Sequence, residues 1–163
     1  MGEHDRRTIF GSGNPHVVPR PQIHAFILPP HYTSTVSCVR WIVDAMNVIG
    51  TRPDGWWKDR QGARVRLVEQ LEQWAAPDAH QVTVVFEGPT SPPIHSSAIR
   101  IQHAPKATAN SADDEIIRIV RDDDKPQDIN VVTSDATLAD RVRSLGACVY
   151  PASRFRDLID PLT

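Results

Sequence analysis

The chain has 163 residues, 40% of them apolar and 23% charged, which supports one compact domain with its own core and argues against two. Its formal charge is −2, so a nucleic-acid partner cannot be argued from net charge and needs a local basic surface. No apolar run approaches the roughly 20 residues that span a bilayer, and the run over 23–28 is interrupted by His24 and ends at Pro29-Pro30, unlike a membrane span or a signal-peptide core.

Residues 1–40 hold five of the fourteen prolines and four of the seven histidines. They show no helical period and no sustained alternation, and read as a disordered tail. The folded domain is expected over 41–163, where 14 Lys and Arg stand against 18 Asp and Glu. Its first element is a short buried strand over 41–44. Val65, Leu67, Val68, Leu71 and Trp74 then recur at helical spacing over 63–75, with Pro77 expected to stop that helix. A second strand is expected over 82–86 and a third over 98–103. A helix follows over 112–121, a strand over 129–133 and a helix over about 135–145. Gly146 precedes a strand over 147–150, and a short helix over 155–159 ends the domain. Strands alternating with helices predict a parallel sheet between two helical layers. Cys38 and Cys148 show no pairing or metal-ligand spacing, which favours a reducing, cytoplasmic setting.

In an open parallel sheet, ligands bind beyond the carboxyl ends of the strands. Three acidic features fall at that edge. Asp44 ends the first strand, Asp135 follows Val131-Val132-Thr133-Ser134, and Asn110-Ser111-Ala112-Asp113-Asp114-Glu115 opens a helix with successive acids. The helix dipole alone favours an acid in a first turn by about 0.3–1 kcal/mol, so Asp113, Asp114 and Asp135 each have a purely structural explanation as well. Asp44 is harder to dismiss, because a charge ending an apolar strand must meet water, a donor or a metal. Convergent carboxylates repel unless a cation neutralises them, and hard oxygen ligands suit Mg2+ or Mn2+. Asn47 has two readings, a turn residue or an amide for a phosphate or a metal-bound water. With Ser111 as N-cap, Asp114 would be the N3 residue of a capping box, and Asp113 would be free to face the cleft.

The ordered set Val-Asp44-Ala-Met-Asn47-Val-Ile, Val-Val-Phe-Glu87-Gly, Ser-Ala-Asp113-Asp-Glu-Ile-Ile, Val-Val-Thr-Ser-Asp135 and Leu-Gly146-Ala resembles the NYN domain of the YacP-like branch of the PIN-like nuclease superfamily. The resemblance implies a three-layer, Rossmann-like (PIN-like) sandwich with a central, mostly parallel sheet. It also implies metal-dependent cleavage of RNA phosphodiester bonds, with Asp44, Asp113 and Asp135 as the metal-binding set and Asn47 beside them. The chain departs from the family in having Ala45-Met46 where Gly and an aromatic are common, Phe86-Glu87 where Phe-Asp is usual, and Thr137 where many relatives carry a further acid. Asp140 does not replace that acid, because five residues on a helix turn it about 140° off the face.

RNA must also be held. Arg52, Trp56, Trp57, Lys58 and Arg60 follow the first strand, and interleaved cations and aromatics grip phosphates and stack on bases. Arg52, Trp57, Lys58, Arg60 and Ser134 are therefore the candidate substrate contacts, with Lys106 a further cation near the acidic helix. No Walker loop, His-Glu-x-x-His helix or nucleophile elbow is present. The competing expectation, favoured by the acidic balance of the folded part, is a catalytically weak or inactive PIN-like module that binds RNA or a partner protein.

Overall fold

The computed structural model describes residues 40–105 and 110–160. Residues 1–39 of the expected tail and Lys106 lie outside them, whereas Arg40, placed in that tail, is the first residue of the first strand.

Among the described residues five strands form one parallel sheet: β1 (Arg40–Asp44), β2 (Gln81–Phe86), β3 (Arg100–His103), β4 (Ile129–Val132) and β5 (Cys148–Tyr150), in the order β3-β2-β1-β4-β5. Five α-helices accompany them among the same residues: α1 (Ala45–Ile49), α2 (Arg60–Asp78), α3 (Ser111–Arg121), α4 (Ala136–Ser144) and α5 (Ala152–Ile159). One face of the sheet packs α1, α2 and α5 through Val48, Leu67, Leu71 and Phe155. The other packs α3 and α4 through Ile116, Ile117, Leu138 and Val142. The α/β sandwich thus has the expected three layers. Buried on both faces, the central strand β1 carries an unbroken apolar run, Ile42-Val43, instead of alternation.

Most expected elements lie within two residues of their observed limits, and the departures have local causes. Pro77 does not stop α2 but occupies its last turn. The ring removes one hydrogen bond there, and the helix ends two residues later at Ala79, which adopts a left-handed φ of 51°. The third strand starts at Arg100, not 98. No helix joins β2 to β3; residues 87–99 make that crossover as a proline-containing loop. Helix α1, at five residues, is too short to carry the periodic apolar stripe that marks a helix in a sequence. Cys148 is disulfide-bonded, a correction to the expectation of no pairing, and cysteine usage therefore carries no argument for a reducing compartment. Among the described residues no helix is long and apolar enough to cross a membrane.

The strand order places the site. From β1 the chain moves outward through β2 and β3, then returns to the other side of β1 as β4. The direction of winding reverses between β1 and β4, and it is outside the carboxyl ends of such a pair that a doubly wound sheet opens a crevice. Asp44 ends β1, and Thr133 to Asp135 follow β4.

Candidate active site

Asp44 is the N-cap of α1 and Asp135 the N-cap of α4. Each carboxylate sits where a strand turns into a helix, and each accepts a hydrogen bond from the backbone N–H three residues on: Asn47 N at 3.2 Å and Leu138 N at 2.7 Å. The structural reading of these acids holds, and it does not exclude the chemical one, because both capping residues also line the crevice.

Asp44 is 3% exposed. Its second oxygen accepts from Asn47 Nδ2 at 2.7 Å and from the Thr133 hydroxyl at 3.4 Å. The Asn47 amide is engaged on both sides, since its Oδ1 accepts from Ser134 N at 3.1 Å. Thr133 Oγ1 in turn accepts from Asp135 N, and Ser134 Oγ accepts from Ala152 N at the start of α5, each at 3.1 Å. This network ties the ends of β1 and β4 together. It makes Asn47 and Ser134 positioning residues for Asp44, a role sequence spacing could not distinguish from direct contact with a ligand.

A pocket of about 320 Å³ opens at this edge, lined by Asp44, Asn47, Glu87, Asp113 and Asp135 together with Met46, Gly50, Asn110 and Ala112. Four carboxylates and no cationic side chain line it. Burial raises the Asp44 carboxyl above the usual range against the pull of its donors. Asp113 is pushed up to about 6, by burial first and then by the negative charges of Asp44 and Asp135. Among the described residues no three His, Cys, Asp or Glu side chains are gathered closely enough to hold one metal ion together.

The start of α3 corrects one expectation. Asn110, in a left-handed conformation at φ 62°, is the N-cap and makes no side-chain capping bond. Ser111 is the first helical residue instead, and its hydroxyl donates to Glu87 O at 2.8 Å, fastening the helix to the end of β2. No capping box forms. Asp114 is exposed and pairs with Arg141 at 3.0 Å. Asp113 still faces the pocket, as expected.

The candidate substrate contacts separate. Trp56 is half-buried against the core, whereas Trp57 is 54% exposed. Both lie with Lys58 in a short 3-10 helix. Arg60 lies over the Trp56 ring, its Cζ 5.8 Å from the centroid, and reaches to 4.0 Å from Glu87, a pocket residue. Arg52 is instead held by Asp157 at 2.8 Å and by Asp160. A cation paired with Asp157 of α5 and with Asp160 just past its end is the poorest phosphate contact of the set.

The raised Asp113 has a pH signature in metal-free protein. The folded state holds this proton more tightly than an unfolded chain, where the carboxyl titrates near 3.9. Stability from this group is therefore present at low pH and lost as pH rises toward and through about 6. Thermal unfolding in EDTA should show Asp113→Asn more stable than the parent at about pH 7.5 and closer to it at about pH 5. An equal gain at both values would show that Asp113 is not proton-linked to folding.

A parallel three-layer sandwich wound in this order, with carboxylates converging at its switch point, is a PIN-like fold of the nuclease-like class. The chain belongs to the YacP-like NYN domain family, whose sequence profile matches residues 41–163. It is similar in structure to crystallised Rae1 (YacP) from Bacillus subtilis, at 22% identity and a TM-score of 0.60 over 73% of this chain and 72% of that one. The W164L mutant of the same protein matches at 23% identity and 0.58, over 73% and 75%. None of the curated protein sequences compared with it matches the chain.

Proposed function

We propose that the protein is a metal-dependent endoribonuclease that hydrolyses RNA phosphodiester bonds with Mg2+ or Mn2+ bound at Asp44, Asp113 and Asp135, directly or through water. The observation that carries this reading is the pocket of four carboxylates, two with raised pKa, at the switch point of the sheet. Such a site is unfavourable alone and favourable with a cation. Its donors are all hard oxygens, which suits Mg2+ or Mn2+ over softer metals. Carboxylates spread around a pocket also suit Mg2+, which keeps several waters and takes only one or two carboxylates directly.

The bound ion supplies polarisation of the phosphodiester and a more acidic water. The chain does the rest. Asn47 and Thr133 hold the Asp44 carboxylate in one orientation, and the α4 cap does the same for Asp135. Asp113, with no hydrogen bond of its own among the described residues, is the carboxylate free to orient a water. Trp57 and Lys58, from the 3-10 helix after α1, and Arg60, at the start of α2, approach the RNA.

Labelled single-stranded and structured RNAs incubated with Mn2+, Mg2+ or EDTA test the proposal. Cleavage with either ion and none in EDTA is expected. A second reading, favoured by the acidic balance of residues 41–163, is a PIN-like module that binds RNA or a partner protein without cutting. RNA binding with no metal-dependent cleavage would establish that one instead.

A further inference from the structure

Four arginines are half-buried among the described residues: Arg40, Arg52, Arg64 and Arg156. Three are neutralised by carboxylates, Arg40 by Asp123, Arg52 by Asp157 and Asp160, and Arg156 by Asp160 and Asp54. Arg64 is the exception. Its Nε is buried with no hydrogen-bond partner, and no carboxylate pairs with its guanidinium among the described residues. A cation drawn partly out of water without a partner is costly to keep, and an anion from outside the chain would offset that cost.

The place is informative. Arg64 lies one helical turn beyond Arg60 on α2, so the two share a face. Its Cζ is 5.8 Å from the centroid of Phe86, the last residue of β2, and Arg60 reaches toward Glu87, the next residue and part of the pocket lining. Arg60 thus reaches the β2 side of a pocket that itself holds only negative charge, and Arg64 lies one turn behind it, over the last residue of β2. An RNA strand crossing that pocket brings a phosphate to each side of the one being cut, and a planar fork of donors is the side chain suited to seat it.

We infer that Arg64, assisted by Arg60, seats the phosphate next to the scissile one and thereby fixes the path of the strand across the β2 side of the pocket. The inference rests on the nuclease reading but assigns a residue outside the acid set. It makes Arg64 a binding residue that lowers KM without touching the reacting atoms.

Arg64→Gln, Arg64→Lys and Arg66→Gln are compared with the parent, using a labelled unstructured RNA of mixed sequence. Arg66 is an exposed cation on the same helix, about 200° around it from Arg64, and controls for general charge. Arg64→Gln should raise KM about tenfold with kcat nearly unchanged, as expected for losing one charged phosphate contact. In EDTA, where binding is read without cleavage, it should reduce the salt slope of RNA affinity by about 0.7, the value for one phosphate on a single strand. Arg64→Lys should keep the slope and Arg66→Gln should match the parent in KM. Should Arg64→Gln not fold, Arg64→Met keeps the packing on Phe86 without the charge and carries the same expectation. If the neutral Arg64 variant and Arg66→Gln are indistinguishable in KM and slope, the inference is overturned while cleavage by the parent leaves the nuclease reading standing. Absence of cleavage by the parent with Mn2+ would overturn the nuclease reading, and the slope in EDTA would still judge Arg64 as a phosphate contact.

Discussion

Asp135→Asn should lower metal-dependent RNA cleavage by at least about a hundredfold while leaving the fold intact. Asparagine is as good an N-cap as aspartate, and its Oδ1 can keep the bond from Leu138 N that starts α4. What is lost is one of the negative charges around the pocket, and with it affinity for the cation. The neighbouring network also survives, because Asp135 enters it through its backbone N–H to Thr133. Asp44→Asn should abolish cleavage too, but with a different stability cost. Its second oxygen accepts from both Asn47 and Thr133, and an amide NH2 in that place faces the Asn47 donor. Relief of a buried charge is then offset by about 1–3 kcal/mol for broken buried bonds, so the metal-free melting temperature should not rise. RNA cleavage at the parental rate by either purified variant would remove these carboxylates from the metal site.

Asp113→Asn and Asp114→Ala should differ in activity by a similar factor although the residues are adjacent. Asp113 lines the pocket and its carboxyl is pushed up to about 6 by burial and by Asp44 and Asp135, so its loss removes a candidate ligand and also relieves repulsion. Cleavage should fall by about a hundredfold or more, and metal-free stability at neutral pH should rise. Asp114 caps nothing. Its one ion pair, with Arg141 on α4, is exposed at both ends, and such pairs contribute about 0–1 kcal/mol. Asp114→Ala should therefore keep most activity and cost less than the 0.5–2 kcal/mol of a lost cap. Rates measured in Mn2+ beside melting temperatures in EDTA check both. If the two variants exchange behaviours, Asp114 is the metal-facing acid; if neither changes cleavage, the start of α3 is outside the site.

The architecture was legible in the sequence, and so was the edge of the sheet where Asp44, Asp113 and Asp135 line one pocket. β-branched runs alternating with periodic helices specify a parallel sheet between helices, since strands buried on both faces must be apolar throughout. An acid at the end of such a run, as at Asp44, or just past it, as at Asp135, can only stand at the carboxyl edge. Side-chain partners were another matter. Whether Asn47 touches a ligand or steadies Asp44, whether Ser111 caps α3 or fastens it to Glu87, and whether Arg52 is available or held by α5 each depend on residues from 24 to 108 positions away. Arg64 is the sharpest case. In the sequence it is one more polar residue on an amphipathic helix, and only packing against Phe86 leaves it half-buried without the carboxylate that every other half-buried arginine of the described chain possesses. Local periodicity decides which face of an element is apolar, but the pairing of charges is decided by which elements the fold brings side by side, and that information is distributed over the whole chain.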